Sequence, residues 1–351
     1  MVAITADDPA SARSPRLHRS NPAGAGFARV AAAGAFAYLD VDGAPLTDPA
    51  ALARIRALVI PPAWRDVWIC PDPLGHLQAT GVDAAGRRQY RYHDLWSRQQ
   101  AHAKFEHMVA FAGSLPMMRE ALLATMRAGH DLDRARVLAC SVRLLDVGMF
   151  RIGSEVYEKE DGHLGLATIA KANVRIDNGR AIFDYIAKEG VHRVHAVADP
   201  GCVEIVGALK RRRGGGDHLL AFREGRAWHQ VRAPLINAHL KSLIGESFSA
   251  KNFRTWNGTV LAAVALARCE ADYASERGRR RAISQATSEV SQVLGNTPAV
   301  ARGSYIDPRV FDRFLCGCTI AGELRRIDDR GLPAEARRAA VELAVLDLLS
   351  G

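Results

Sequence analysis

The chain has 351 residues, 48% hydrophobic and 24% charged. That is the make-up of a globular protein, long enough for two domains, and it excludes a disordered or fibrous one. No apolar run approaches the ~20 residues of a membrane span, and residues 1–20 lack the central apolar block of a secretory signal. The 47 lysines and arginines against 38 acids leave a net charge of +9, which points to a polyanionic partner, in a cytosolic protein chiefly nucleic acid.

Residues 1–24 read as a flexible arm, rich in small and polar residues. From 27 to 93 the pattern is β-rich. Phe36 and Tyr38 alternate in AFAYLDVDG, with Asp42-Gly43 as a turn signal. DVWIC follows the Pro61-Pro62 breaker as a further strand, and LGHLQATG and RRQYRYH give two more. The sum is an antiparallel meander of about five strands with a short helix around DPAALARIRALV.

Near Asp94 the texture changes. LWSRQQAHAKFEHMVAFAGSL and MMREALLATMRAG space their apolar residues three and four apart and read as helices, as does RARVLACSVRLLDVGMF. The domain boundary is therefore placed between Tyr92 and Trp96, giving a β-rich domain over 25–95 and a mostly helical one over 96–351. Residues 171–198 interrupt the helices. Asn178-Gly179 is a hairpin turn and Lys188-Glu189-Gly190 a second reversal, so a three-stranded meander with Lys188 at its second tip is expected. Helices resume in RAPLINAHLKSLIG, TVLAAVALARCEAD, RRAISQATSEVSQVL and AEARRAAVELAVLDLLS. The basic runs GRRR and KRRRGGGD read as solvated loops.

The six cysteines (70, 140, 202, 269, 316 and 318) form no C-x-x-C pair and no zinc-like spacing with histidine. Reduced thiols, no metal and no structural disulfide are expected. There is also no internal repeat, no P-loop and no GxGxxG.

Four residues then stand out. Tyr305 sits in a turn behind the breaker Gly295-Asn296-Thr297-Pro298, where a packing tyrosine is unusual. Arg151 follows an apolar helix that a glycine breaks, Arg254 lies just before a helix, and Lys188 crowns a hairpin. Singly, each has an ordinary reading: a helix-end arginine caps carbonyls, and lysines are common in turns. Together they suit one reaction. A tyrosine hydroxyl that attacks a phosphodiester builds a pentacoordinate phosphate with added negative charge, which two guanidiniums can grip. A lysine can protonate the departing sugar oxygen.

The motifs FRIGSEVY, FDYIAKEGVHRV, KNFRTWNGT and LGNTPAVARGSYIDP, with PPAWRDVWICPDPLGHLQATGVDAAGRRQYRYH at the amino end, resemble in sequence and order the poxvirus-type bacterial DNA topoisomerases IB. The resemblance runs from about Gly26 to Phe314. It implies an α+β fold whose β-rich and helical domains close as a C-shaped clamp on duplex DNA. It also implies supercoil relaxation through a 3′-phosphotyrosyl intermediate, strand rotation and religation, with no cofactor, no metal and no ATP. The enzyme would be a monomer in the cytoplasm, at the nucleoid. By the same resemblance Tyr305 is the nucleophile, Arg151 and Arg254 hold the phosphate, and Lys188 is the general acid. The fifth catalytic position falls on Asn296, where viral members carry histidine. An amide can donate a hydrogen bond to phosphate but cannot exchange protons; an ordinary capping role after Gly295 is compatible with this. Lys251 is a helper near the phosphate, and Gln89, Tyr90, Tyr92 and Tyr157 match DNA-contact positions. Tyr90 and Tyr92 would share one face of a strand.

A tyrosine recombinase would use the same chemistry, but such enzymes carry His-x-x-Arg-His where this chain has Lys251-Asn-Phe-Arg254-Thr-Trp. A non-enzymatic DNA-binding protein would account for the charge and leave the catalytic positions without a purpose.

Overall fold

The structure, a computed structural model, describes residues 15–351 except 33–34, 130, 156–157, 159–161 and 270–274. It divides into two compact units, residues 1–104 and 105–351.

The first unit is built on one five-stranded antiparallel sheet. Its strands are β1 (Phe27–Ala32), β2 (Ala35–Leu39), β3 (Arg65–Ile69), β4 (Leu77–Val82) and β5 (Arg88–Tyr92), in the order β2-β1-β3-β4-β5. Helix α1 (Pro49–Ala57) starts where the Asp48 carboxylate accepts from the Ala50 and Ala51 amides, with Pro49 supplying its preset φ. Its buried Ile55 joins Val67, Ile69 and Ala79 in a core that Phe27, Tyr38, Leu46 and Trp64 surround. The last ten residues of the expected arm are tied to this unit. The His18 amide donates to Leu74 O, the His76 amide donates to His18 O, and Trp68 Nε1 donates to Gly24 O.

Helix α2 (Asp94–Arg127) runs through the division between the units, at residues 104 and 105. It is one helix where two were expected, with Pro116 in its interior. Proline costs an interior helix about 3 kcal/mol. Here Phe105, Met108, Phe111, Leu115, Met118, Leu122 and Met126 form one buried face on both sides of it, and that burial outweighs the break.

In the second unit α3 (Arg134–Gly148) is buried on nearly every side and ends at Met149, whose backbone is left-handed (φ 51). The expected meander follows as β6 (Val174–Asp177), β7 (Arg180–Ala187) and β8 (Val191–Val197), with Asn178 and Gly179 both at positive φ in the first turn. Strand β7 alternates, burying Ala181, Phe183, Tyr185 and Ala187. The remaining elements are α4 (Pro200–Arg211), the hairpin β9 (Ala221–Glu224) and β10 (Ala227–Gln230), α5 (Ala233–Ile244), α6 (Ala250–Ala267), α7 (Glu276–Leu294), α8 (Pro298–Ser304), α9 (Pro308–Leu315), α10 (Ala321–Asp329) and α11 (Ala334–Ser350). The fold is α+β as expected, with an antiparallel sheet first and a mainly helical part after it. No helix among the described residues is long and apolar enough to cross a membrane.

Two readings of the basic runs need correction. GRRR lies inside α7. KRRRGGGD ends α4, and its Arg212 is buried, donating to the carbonyls of Leu209 (2.8 Å), Leu219 (2.7 Å) and His218 while lying over the Trp228 ring. A guanidinium has enough donors to gather several loop carbonyls at once, and local charge density in the sequence does not reveal that use.

Candidate active site

Six of the singled-out residues line one cleft of about 360 Å³ in the second unit: Arg151, Lys188, Lys251, Arg254, Asn296 and Tyr305. They come from five separate segments of chain, and local geometry explains how each arrives.

Arg151 follows the left-handed residue that ends α3. The chain then turns at Gly153 (φ 84), where a Cβ would lie 2.9 Å from Gly165 Cα, so only glycine fits. The Arg151 carbonyl accepts from the Leu166 amide at 2.8 Å, and its Nη2 donates to Gly295 O (2.9 Å) and Asn296 Oδ1 (2.5 Å). Arg254 is the fifth residue of α6 rather than a residue before it. Ser249 and Asn252 close the helix start in a reciprocal cap, which moves the start nine residues ahead of the apolar stretch TVLAAVALA.

Arg254 is 4% exposed. Its Nη1 donates to Met149 O (2.8 Å) and its Nη2 to Leu294 O (2.7 Å), and its guanidinium carbon lies 5.1 Å from the centre of the Tyr305 ring. Burial lowers its pKa, and the Tyr305 hydroxyl partly opposes that shift. Two buried N–H donors in the cleft, Arg254 Nε and Asn296 Nδ2, have no partner among the described residues.

Asn296 enters the cleft because Gly295 ends α7 in the left-handed region (φ 63). Behind it Arg193 donates to the carbonyls of Gln292 (3.0 Å) and Val293 (2.6 Å), holding the last turn of α7 to β8. Lys188 is exposed on the tight reversal between β7 and β8, where Glu189 (φ 66) and Gly190 (φ 71) are both left-handed. Lys251, second in α6, is exposed at the cleft.

Tyr305 does not stand in an open turn. It is the C-terminal cap of α8, and its amide donates to Ala301 O at 3.0 Å. The two residues after it are anchored. Ile306 is fully buried, and Asp307 is 1% exposed, accepting from the backbone and side chain of Arg309 and capping α9. The Asp307 amide donates to Thr259 Oγ1 at 3.0 Å. Gly258 lets the chain pass: a Cβ there would come 2.6 Å from the Tyr305 carbonyl oxygen. The phenol is therefore held between two short helices with a fixed backbone behind it.

Residues 93–311 match the model of the eukaryotic DNA topoisomerase I catalytic core, and residues 35–83 match that of the bacterial DNA topoisomerase IB N-terminal domain. DNA topoisomerase 1B of Acanthamoeba polyphaga mimivirus is 26% identical over 263 residues, 73% of this chain and 77% of that relative. The chain belongs to the type IB DNA topoisomerase family.

Membership makes the chain a topoisomerase, with DNA as the substrate its family acts on. The recombinase and the non-enzymatic readings give way to it. The remaining singled-out residues lie on the first unit or outside the described part. Gln89, Tyr90 and Tyr92 are on β5, an edge strand. Tyr90 and Tyr92 are 47% and 43% exposed, with rings stacked at 6.1 Å on one face. Gln89 Nε2 is engaged by Asp83 Oδ2 at 2.9 Å. Tyr157 lies outside the described residues. Sequence reasoning missed Arg193, inside the motif FDYIAKEGVHRV, and Gly258, in the motif KNFRTWNGT. The first carried only the weak signal of a lone basic residue, and the second that of a glycine inside a helix.

Proposed function

We propose that this topoisomerase relaxes supercoiled duplex DNA by transient cleavage of one strand at Tyr305, with neither ATP nor metal. The Tyr305 oxygen attacks the scissile phosphorus in line, and its proton passes to water. The P–O5′ bond breaks, leaving a 3′-phosphotyrosyl link and a free 5′ end whose oxygen takes a proton from Lys188. Arg151 and Arg254 meet the non-bridging oxygens, and Lys251 adds positive charge at the N-terminal turn of α6. The free strand rotates under torque. The 5′-hydroxyl then attacks the phosphotyrosine and restores the strand, so the bond energy is kept in the ester throughout.

The observation that carries this reading is the pair of orphaned donors. A buried N–H without a partner costs about 1–3 kcal/mol and is rare. Here Arg254 Nε and Asn296 Nδ2 both lack one, in the cleft that also holds Arg151, two lysines and the phenol. A phosphate oxygen is an acceptor of the charge that such a set would take. Asn296 acts in this scheme as a hydrogen-bond donor alone, since its Oδ1 already accepts from Arg151.

In the same reading residues 25–95 form a DNA-binding domain and 96–351 the catalytic domain. Tyr90 and Tyr92 on the exposed edge strand, with Gln89 beside them, face a groove, and Tyr157 adds a contact. One protomer suffices, acting on chromosomal DNA in the cytoplasm.

The test is plasmid relaxation in excess chelator without nucleotide, followed by denaturant trapping of the adduct. Wild type relaxes supercoils of both signs and traps a 3′ adduct, whereas Tyr305→Phe binds DNA and does neither. A strict need for Mg²⁺ or ATP, or relaxation by the Tyr305→Phe protein, overturns the proposal.

A further inference from the structure

A largely buried ion-pair network that the cleavage scheme does not use is linked to the arginines of the cleft. At its centre is Asp146 on α3, fully buried. Its Oδ1 accepts from Arg119 Nη2 (2.9 Å) and Arg338 Nη2 (2.6 Å), and its Oδ2 from Arg119 Nε (3.0 Å) and Arg143 Nη1 (2.7 Å). The C-terminal helix α11 supplies Glu335, Arg338 and Glu342 to this cluster from one face. Glu335 takes Arg143 (2.5 Å), and Glu342 takes Arg119 (2.6 Å) and Arg338 Nε (3.1 Å).

The network reaches the cleft through two backbone carbonyls. Asp146 O accepts from Asn257 Nδ2 (3.1 Å) and from Arg338 Nη2 (3.1 Å). Three residues later Met149 O accepts from Arg254 Nη1 (2.8 Å). Asn257 and Arg254 are one helical turn apart on α6, and Arg151 follows Met149 by two residues. The stretch 146–151 is thus fastened to α6 at two points, and Arg338 spans the first: it touches the Asp146 carboxylate, the Asp146 carbonyl and Asn257 Oδ1 (3.4 Å) together.

We infer that Arg338, on the C-terminal helix, is a positioning residue for the arginine pair. By holding Asp146 against Asn257 it sets the spacing of Arg151 and Arg254 around the scissile phosphate. A buried charge cluster is a weak source of net stability, but it has few alternative arrangements, and rigid placement is what a paired-guanidinium site requires. An error of about 1 Å in such placement costs about 10²-fold in rate.

This inference rests on the tyrosyl-transfer reading above, and its test separates the two. Single-turnover cleavage is measured on a duplex with an ordinary scissile phosphate and on one with a neutral methylphosphonate there. The methyl group removes the non-bridging charge that the arginines hold, so their placement matters less. The proteins are wild type, Arg338→Ala, Arg338→Lys, and each of these with Arg254→Ala; the wild-type pair forms a double-mutant cycle with each Arg338 pair. Arg338→Ala is expected to cleave the ordinary duplex about 10²-fold more slowly with unchanged DNA affinity. The loss should shrink by about tenfold or more on the methylphosphonate, and vanish when Arg254→Ala is already present. Arg338→Lys keeps the charge beside Asp146 and Glu342 but lacks the planar fork whose Nε meets Glu342 while Nη2 meets Asp146 and Asn257. It should show the same pattern, and it decides the matter if the alanine protein does not fold. An equal loss on both substrates, an additive loss with Arg254→Ala, or cleavage at the wild-type rate overturns the inference. If wild type itself forms no adduct, the tyrosyl-transfer reading fails first.

Discussion

At the scale of single residues, the proposed division of labour separates proton transfer from charge stabilisation, and the two can be told apart. Lys188 stands exposed on its reversal, while Arg254 is buried against Tyr305. Lys188→Ala should slow cleavage by about 10²–10⁴, the usual cost of a lost general acid. Substituting sulfur for the bridging 5′-oxygen should restore much of that rate, because a thiolate leaves without being protonated. Arg254→Ala should regain far less, since its charge partner is unchanged; equal rescue of both would refute the assignment. His195 offers a separate test on stability. Its ring packs 4.3 Å from Phe150, with Phe183 and Tyr185 around it, and neither ring nitrogen has a partner among the described residues. Burial, helped by the charge of Arg193, pushes its pKa down from 6.5 to about 4. Between those values the unfolded chain binds the proton and the folded one does not, so stability falls as pH drops from about 6.5 towards 4. The contribution is at most about 3 kcal/mol. Denaturant melts of wild type and His195→Phe across this range should diverge in that direction; parallel curves would show that the imidazole is solvated in the folded protein.

At the scale of elements, the site depends on how closely α6 passes the segment that carries Tyr305. Helix propensity alone predicts that Gly258→Ala stabilises α6 by about 1 kcal/mol. The crossing predicts the reverse. The added Cβ would sit 2.6 Å from the Tyr305 carbonyl oxygen and 3.2 Å from Leu294 Cδ1, so one side must move. Overpacking of this kind costs about 1–3 kcal/mol. We expect a lower melting temperature, and cleavage impaired more than DNA binding because the displaced atom belongs to the nucleophile's own backbone. A more stable and fully active alanine variant would show that the crossing tolerates the methyl group. Helix α2 shows a similar conflict at Pro116. Proline is a strong local signal, whereas the apolar face that spans Pro116 becomes decisive only once partners cover it.

At the scale of the whole molecule, 47 basic residues against 38 acidic ones leave +9 to be met by phosphates. Each phosphate neutralised by lysine or arginine releases counterions, so DNA affinity should fall steeply and linearly on a log–log salt plot. For six to ten contacts the loss between 50 and 200 mM salt is about 10³–10⁵. Filter binding of a non-cognate duplex checks this, and a nearly flat response would rule out extensive phosphate contact. Part of the positive charge is not available for DNA. Arg119, Arg143 and Arg212 are buried on carboxylates or carbonyls, so the slope reports exposed residues and not the formal count.

The sequence by itself determined the α+β class, the five-stranded sheet, the meander with Lys188 at its second tip, and the family. Each follows from short-range patterns: alternation, three-and-four spacing, Asn178-Gly179 and ordered motifs. It also singled out Arg151, Lys188, Arg254 and Tyr305, because their types suit phosphoryl chemistry, while Asn296 and Lys251 followed only from the family resemblance. The tertiary structure alone decided the rest. The sequence placed Tyr305 in an open turn and Arg254 ahead of its helix, whereas the fold makes one a helix cap and buries the other within α6. It read KRRRGGGD as solvated, whereas Arg212 is buried among carbonyls. Arg193, Gly258, Asp146 and Arg338 act on segments far from them in the chain, and Arg338 meets Asp146 across 192 positions. Local patterns record the conformational preferences of neighbouring residues. They carry no record of which distant carbonyl a guanidinium will reach, because that distance exists only once the helices have packed.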